Sequence, residues 1–133
     1  MNRMTAFRTF LVLFLFCLFA PVQSLVAQDS TPPELKGFRV SPAVVDVTDG
    51  PVDLELELDI TDDISGFDFA WVDMLFERTN SQTGFNSSKI SSGTVLDGTY
   101  QMSITIPRGS PPGERSFQFY LFDNVRNDAF FKP

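Results

Sequence analysis

Ten consecutive residues, 52–61, read Val-Asp-Leu-Glu-Leu-Glu-Leu-Asp-Ile-Thr. Aliphatic side chains alternate with polar ones through the whole run, and a β-strand is the element that returns a side chain to the same face at every second residue. Such a strand buries one face and wets the other, as in an antiparallel sheet that covers a core from one side.

The same period returns further along. Residues 99–106 place Tyr100, Met102, Ile104 and Ile106 on one face, and residues 116–122 do the same with Phe117, Phe119 and Leu121, leaving Tyr120 and Phe122 on the other. In residues 67–78 the inward set is Val72, Met74 and Phe76, because the opposite set contains Asp73. Phe69, Trp71 and Leu75 then face outward. A register one residue off reverses every side chain and puts Trp71 in the core.

Shorter strands are expected at 37–40, resuming at 44–47 after a break near Pro42 like that of a strand switching sheets, and at 129–132. The segment 79–98, rich in Ser, Thr, Asn and Gly, reads as two loops around a weak edge strand near 87–91. Turn residues punctuate the rest at 48–51, 62–66, 107–114 and 123–128. Short strands with turn signals between them, and no helical period after the amino-terminal stretch, predict an all-β antiparallel sandwich, with a barrel as the alternative.

That amino-terminal stretch has its own logic. Arg3 and Arg8 precede an apolar run over residues 10–20, and a small residue, Ala27, precedes Gln28 and Asp29. A basic head, an apolar middle and a small residue at the cut are the parts of a secretory signal peptide. The run falls short of the roughly 20 residues a helix needs to cross a bilayer, so no stable membrane anchor is expected after cleavage. Cys17, the only cysteine, leaves with the peptide, and Phe16 before it does not fit a lipoprotein signal. The mature chain therefore has no disulfide and depends on its core and on any bound ion. All 17 acidic residues but only eight of the ten basic ones lie beyond Ala27, which takes the net charge from −7 to −9. A nucleic-acid partner is excluded on that ground, since such proteins carry a basic face.

Six landmarks run in order along the mature chain: residues 29–33 (Asp-Ser-Thr-Pro-Pro), 45–51 (Val-Asp-Val-Thr-Asp-Gly-Pro), 61–66 (Thr-Asp-Asp-Ile-Ser-Gly), 97–100 (Asp-Gly-Thr-Tyr), 104–107 (Ile-Thr-Ile-Pro) and 121–127 (Leu-Phe-Asp-Asn-Val-Arg-Asn). Together they resemble the bacterial Ig-like domains of secreted and surface proteins. The last departs from that family's Asp-x-Ala-Gly-Asn ending, with Val125 and Arg126 in place of the small pair. The resemblance implies an immunoglobulin-like antiparallel β-sandwich of about seven strands, preceded by a signal peptide: residues 1–27 the peptide, 28–36 a lead-in, 37–133 the domain. It implies a spacer, adhesion or protein-interaction module without enzymatic activity, exported to the periplasm, the cell surface or the medium. Because the family sits in longer proteins, it also implies neighbouring domains, or that this chain is a piece of a larger secreted enzyme or adhesin.

The inventory of reactive groups agrees. With no histidine anywhere and no cysteine after the signal, serine triads, thiol nucleophiles and typical zinc sites are excluded. A two-carboxylate glycosidase needs a substrate cleft that a small sandwich rarely provides. Two binding expectations remain. In an Ig-like topology Asp29, Asp62, Asp63, Asp123, Asn124 and Asn127 share one pole, where carboxylate and amide oxygens suit calcium. The competing reading is that Asp and Asn are there as turn formers. The outward set of Phe69, Trp71, Leu75, Tyr120 and Phe122 makes an aromatic face for a protein partner or a glycan, the latter describing a carbohydrate-binding module. Asn86-Ser-Ser88 has the form of a glycosylation acceptor, relevant only in a eukaryotic secretory route.

Overall fold

The computed structural model describes residues 28–77 and 79–133; the expected signal peptide, with Cys17, lies outside them. Eight strands follow in chain order: β1 (Glu34–Ser41), β2 (Val52–Thr61), β3 (Phe67–Phe76), β4 (Thr79–Asn86), β5 (Ile90–Gly93), β6 (Asp97–Ile106), β7 (Ser116–Asp123) and β8 (Asp128–Phe131). A single 3₁₀ turn, Ser87–Lys89, separates β4 from β5. The strands form two sheets of four, ordered β1-β2-β6-β5 and β4-β3-β7-β8, and every pairing is antiparallel. This is the immunoglobulin-type sandwich: the first sheet corresponds to the ABED set and the second to the CFG set widened by one strand.

The alternation seen in the sequence is what closes the two sheets on each other. Leu54, Leu56, Leu58 and Ile60 of β2 and Tyr100, Met102, Ile104 and Ile106 of β6 meet Ala70, Val72 and Met74 of β3 and Phe117, Phe119 and Leu121 of β7. Phe67 joins this core through a bulge between Phe67 and Phe69 that shifts its parity. Phe76, also expected inward, is only partly buried at the rim, where the Arg115 guanidinium lies 4.6 Å from its ring centre.

The outer faces differ sharply. On the first sheet three of the four carboxylates of β2 are bound by neighbours across the strands: Thr105 Oγ1 donates to Asp53, Gln101 Nε2 to Glu57 and Thr99 Oγ1 to Asp59. Arg39 of β1 pairs with both Glu57 and Asp59. Gln101 and Arg39 hold the Glu57 carboxyl below its usual range, and the Thr99 hydroxyl does the same for Asp59. The second sheet's outer face is aromatic.

Several boundaries differ from the sequence reading. β1 starts at Glu34, so the lead-in ends at Pro33. Residues 44–47 form no strand: the backbone bends after Ser41, and Val44 stands in solvent. The polar stretch read as two loops around a weak edge strand near 87–91 carries two strands: β5 at 90–93, shifted from that expectation, and β4 at 79–86, where a loop was expected, which brings the count to eight among the described residues. Both are edge strands whose ladders are supplied by β3 and β6, so their own side chains need bury little.

Candidate functional site

Three aspartates from distant parts of the chain meet at one end of the sandwich. Asp29 lies before β1, Asp62 follows β2 and Asp123 closes β7. One carboxylate oxygen from each lies within 4.8 Å of the other two. Asp29 and Asp123 are buried, Asp123 completely.

Each carboxylate is first a turn former. Asp29 accepts from the backbone N–H of Thr31 at 3.0 Å and of Ser65 at 2.8 Å, tying the amino-terminal segment to the β2–β3 turn. Asp62 Oδ1 accepts from Ile64 N–H at 3.2 Å and Gly66 N–H at 2.6 Å, in a turn that ends with Gly66 at φ +83°, a left-handed conformation natural to glycine. Asp123 Oδ1 accepts from Val125 and Asn127 N–H, and its Oδ2 from the Asn127 side-chain amide at 2.7 Å. Ser65 and the Thr31 N–H hold the Asp29 carboxyl below its ordinary value.

One oxygen is left over. Asp62 Oδ2 is buried and has no hydrogen-bond partner. A buried carboxylate oxygen without a donor costs free energy, and two negative charges within 4.8 Å of each other repel by at least about 3 kcal/mol at an effective dielectric of 20. The turn-former reading accounts for the other five oxygens and leaves this one unexplained. Three carboxylate oxygens this close are within the span of one hard cation such as calcium, whose oxygen ligands at about 2.3–2.6 Å stand no more than about 5 Å apart.

Of the six residues expected at this pole, three supply the grouped carboxylates. Asp63 is exposed and outside the group. Asn124 and Asn127 donate through their amide nitrogens: Asn124 Nδ2 bonds the carbonyls of Ser65 and Gly66, while Asn127 Nδ2 bonds Asp123. Both asparagines therefore position the turns that carry the carboxylates.

The aromatic residues gather on the outer face of β3, β7 and β8. Trp71 lies opposite Tyr120, which lies opposite Phe130, and these are 42%, 36% and 51% exposed. Trp71 is outward, which settles the register left open by the sequence. Phe69 packs edge-on against Trp71 at 4.8 Å and faces Phe122 at 6.2 Å, and both are partly buried beneath the row. Tyr120 and Phe130 are 4.7 Å apart. Leu75, also partly buried, lies away from this group, beyond Asp73 and opposite Ser116.

Two features of this face were not read from the sequence. Phe130 follows from the parity of β8 once Ala129 is placed inward. The second is a polar row next to the aromatic one, Gln82, Asp73 and Gln118, in register across β4, β3 and β7. Gln82 Nε2 donates to Asp73 Oδ1 at 2.9 Å, and Asp73 is buried between its neighbours.

A family model described as a domain of unknown function, DUF7743, matches residues 27–132, a span that contains both the carboxylate pole and the aromatic face. The chain has no match among curated proteins or solved structures.

Proposed function

We infer that this chain, which belongs to the DUF7743 family, is an exported, non-catalytic binding module whose working surface is the aromatic face of β3, β7 and β8 and whose ligand is a carbohydrate. The observation that carries this reading is the cross-strand row of Trp71, Tyr120 and Phe130, exposed beside the Gln82–Asp73–Gln118 row. Aromatic rings offer flat apolar surface to the C–H face of a sugar. The amide groups of Gln82 and Gln118 at the edge of the same surface, the former held by the buried Asp73, suit its hydroxyls and would fix its orientation. Soluble proteins rarely leave several large rings side by side in solvent without a use for them. The lack of histidine supports the non-catalytic part of the reading.

Trp71 is the only tryptophan, so its fluorescence reports this face alone. Titration with soluble oligosaccharides is expected to shift its emission, and Trp71→Ala is expected to remove binding while the protein keeps a cooperative melt. Emission indifferent to a broad glycan panel, with Trp71→Ala binding protein partners no less well than the parent, would exclude this surface as the binding site.

A second reading concerns the other pole, and the partnerless Asp62 Oδ2 favours it. Asp29, Asp62 and Asp123 would hold a calcium ion, which would supply no chemistry beyond charge neutralisation and would fasten the amino-terminal segment to the turns after β2 and β7. A calcium-stabilised spacer and a glycan-binding module are compatible, since the two sites lie on different parts of the sandwich. Calcium and the aromatic face can be tested separately.

A further inference from the structure

The two rows on the outer face of the second sheet share one direction. Gly84, Trp71, Tyr120 and Phe130 stand in register across β4, β3, β7 and β8, and Gln82, Asp73 and Gln118 stand in register across the first three of those strands. Strands in a sheet lie roughly 5 Å apart and rise about 3.4 Å per residue, so the aromatic row covers about 10 Å from β3 to β8 and the polar row runs beside it at about 7 Å. β4 and β8 are the edge strands, so the row reaches from one edge of the sheet to the other. At the β4 end Gly84 adds no side chain, and a Cβ built there would sit 3.0 Å from the rings of Phe69 and Trp71, which lie over its bare backbone. The row is thus a track open at both ends, unlike the concave pocket that encloses a small ligand.

The rings along the track are not coplanar. Tyr120 and Phe130 stand 4.7 Å apart with their planes inclined by 37°. Each strand of a sheet is also rotated by roughly 20–25° from its neighbour. The flat face of a crystalline polymer cannot meet all three rings, whereas a single chain can turn with them. The spacing of strands is close to the advance of one pyranose along an extended, β-linked chain, so successive sugars meet successive strands. Charge narrows the class further. β3, β4, β7 and β8 contain no Lys or Arg, Asp73 and Asp128 are on this outer face, and the whole chain carries a net charge of −7. An anionic polymer finds no cation on these strands and a net charge that opposes it.

We propose that this face takes the interior of a single, neutral, extended polysaccharide chain, laid across the strands with successive sugars over Trp71, Tyr120 and Phe130 and hydroxyl edges towards Gln82 and Gln118. The proposal rests on the glycan reading given above and adds to it the ligand's length, direction and charge. Phe130 becomes the residue that separates a chain from a lone sugar, because it carries the row beyond the Trp71–Tyr120 pair.

The test is titration of Trp71 fluorescence with β-1,4-linked gluco-, manno- and xylo-oligosaccharides of one to six units, and with oligomannuronides of the same lengths. In at least one neutral series Kd is expected to fall roughly fivefold per added unit up to three or four units, as each sugar gains a ring, and then to level off. Phe130→Ala, checked for a cooperative melt, should bind the disaccharide within about twofold of the parent and lose the gain from the third unit. The parent's length series decides the matter alone if that variant does not fold. Affinity already complete with one or two units would overturn the proposal, and so would tighter binding of the mannuronides. Retention on microcrystalline cellulose equal to the binding of soluble hydroxyethyl cellulose, or a folded Phe130→Ala with the full length dependence, would do the same. Each of these results leaves the glycan reading standing, since sugar is still bound. Trp71 emission unmoved by every oligosaccharide at every length would overturn that reading and the proposal together.

Discussion

Tyr100 brings a large ring into the centre of the sandwich, edge-on to Phe67 at 4.7 Å, and with it a hydroxyl that is buried without a partner. The ring is useful there and the oxygen is not, since a buried polar atom loses its water and here gains nothing. Burial pushes the phenol pKa from 10.0 up to about 12. The neutral form is thus favoured in the folded chain. The associated stability is complete below the unfolded pKa of 10.0 and is lost as pH rises towards 12, because the unfolded chain ionises first. Tyr100→Phe keeps the ring and removes the oxygen. It is expected to raise stability by about 1 kcal/mol at neutral pH, roughly 5 °C in Tm for a domain of this size. The gap between variant and parent should widen between pH 8 and pH 11 in urea unfolding, since the phenylalanine has nothing to ionise. A gap that stays constant over that range would show that the hydroxyl is solvated or bonded after all.

At the level of strands, legibility follows how much each one depends on its own side chains. β2, β6 and β7 each bury alternate residues in the core, so their period is written in the sequence and the inward sets expected for them are the ones observed. β4 is different: its residues are mostly polar, Phe85 is its buried anchor, and its place is set by the β3 backbone alongside it. Nothing in Thr, Asn, Ser and Gln marks a strand when the ladder comes from elsewhere. The converse error is at residues 44–47, where two valines flanking a Val-Asp pair look like a strand but no neighbour offers an edge in the described residues. The candidate site divides in the same way. Asp and Asn at the turns were visible, but which three of six converge depends on how the turns fold against each other. β4 also supports the aromatic face through Gly84, opposite Trp71: a Cβ built there would sit 3.0 Å from the rings of Phe69 and Trp71. The rings lie across the glycine, as aromatic side chains do when they cover a bare backbone on a neighbouring strand. Gly84→Ala should push both rings aside. The expected result is a changed near-ultraviolet circular dichroism signal from Trp71, with a stability change within about 1 kcal/mol because the rings can move outward into solvent. An unaltered Trp71 signal would mean that the rings do not rest on Gly84.

Across the whole molecule, the carboxylate pole joins what the sheets leave separate. Asp29 reaches Ser65, 36 residues away, and Asn127 reaches the Thr31 carbonyl across 96 residues, at 3.5 Å. The amino-terminal segment, the end of β2 and the end of β7 are thereby gathered at three mutually repelling carboxylates. Two explanations of Asp62 Oδ2 then make opposite predictions for one isosteric change. Asp62→Asn can keep Oδ1 as the acceptor for Ile64 and Gly66 while replacing the partnerless oxygen by an amide that donates to Asp29 or Asp123. Without cation this removes one charge from the cluster and adds donors, so the chelated variant should melt above the chelated parent, by a margin on the order of 1 kcal/mol. With calcium the order should invert. The parent gains RT ln(1 + [L]/Kd), about 2.7 kcal/mol at a hundredfold excess over Kd, and the variant, having lost a charged ligand, gains far less. The experiment is four melting curves, parent and variant, each in chelator and in millimolar calcium. If the parent's Tm does not respond to calcium while the variant is still the more stable in chelator, the cluster is an unrelieved repulsion within ordinary turns and the metal reading fails. If the two pairs of curves cross, the ion is what allows the fold to keep three carboxylates together at the point where its amino-terminal segment meets the turns after β2 and β7.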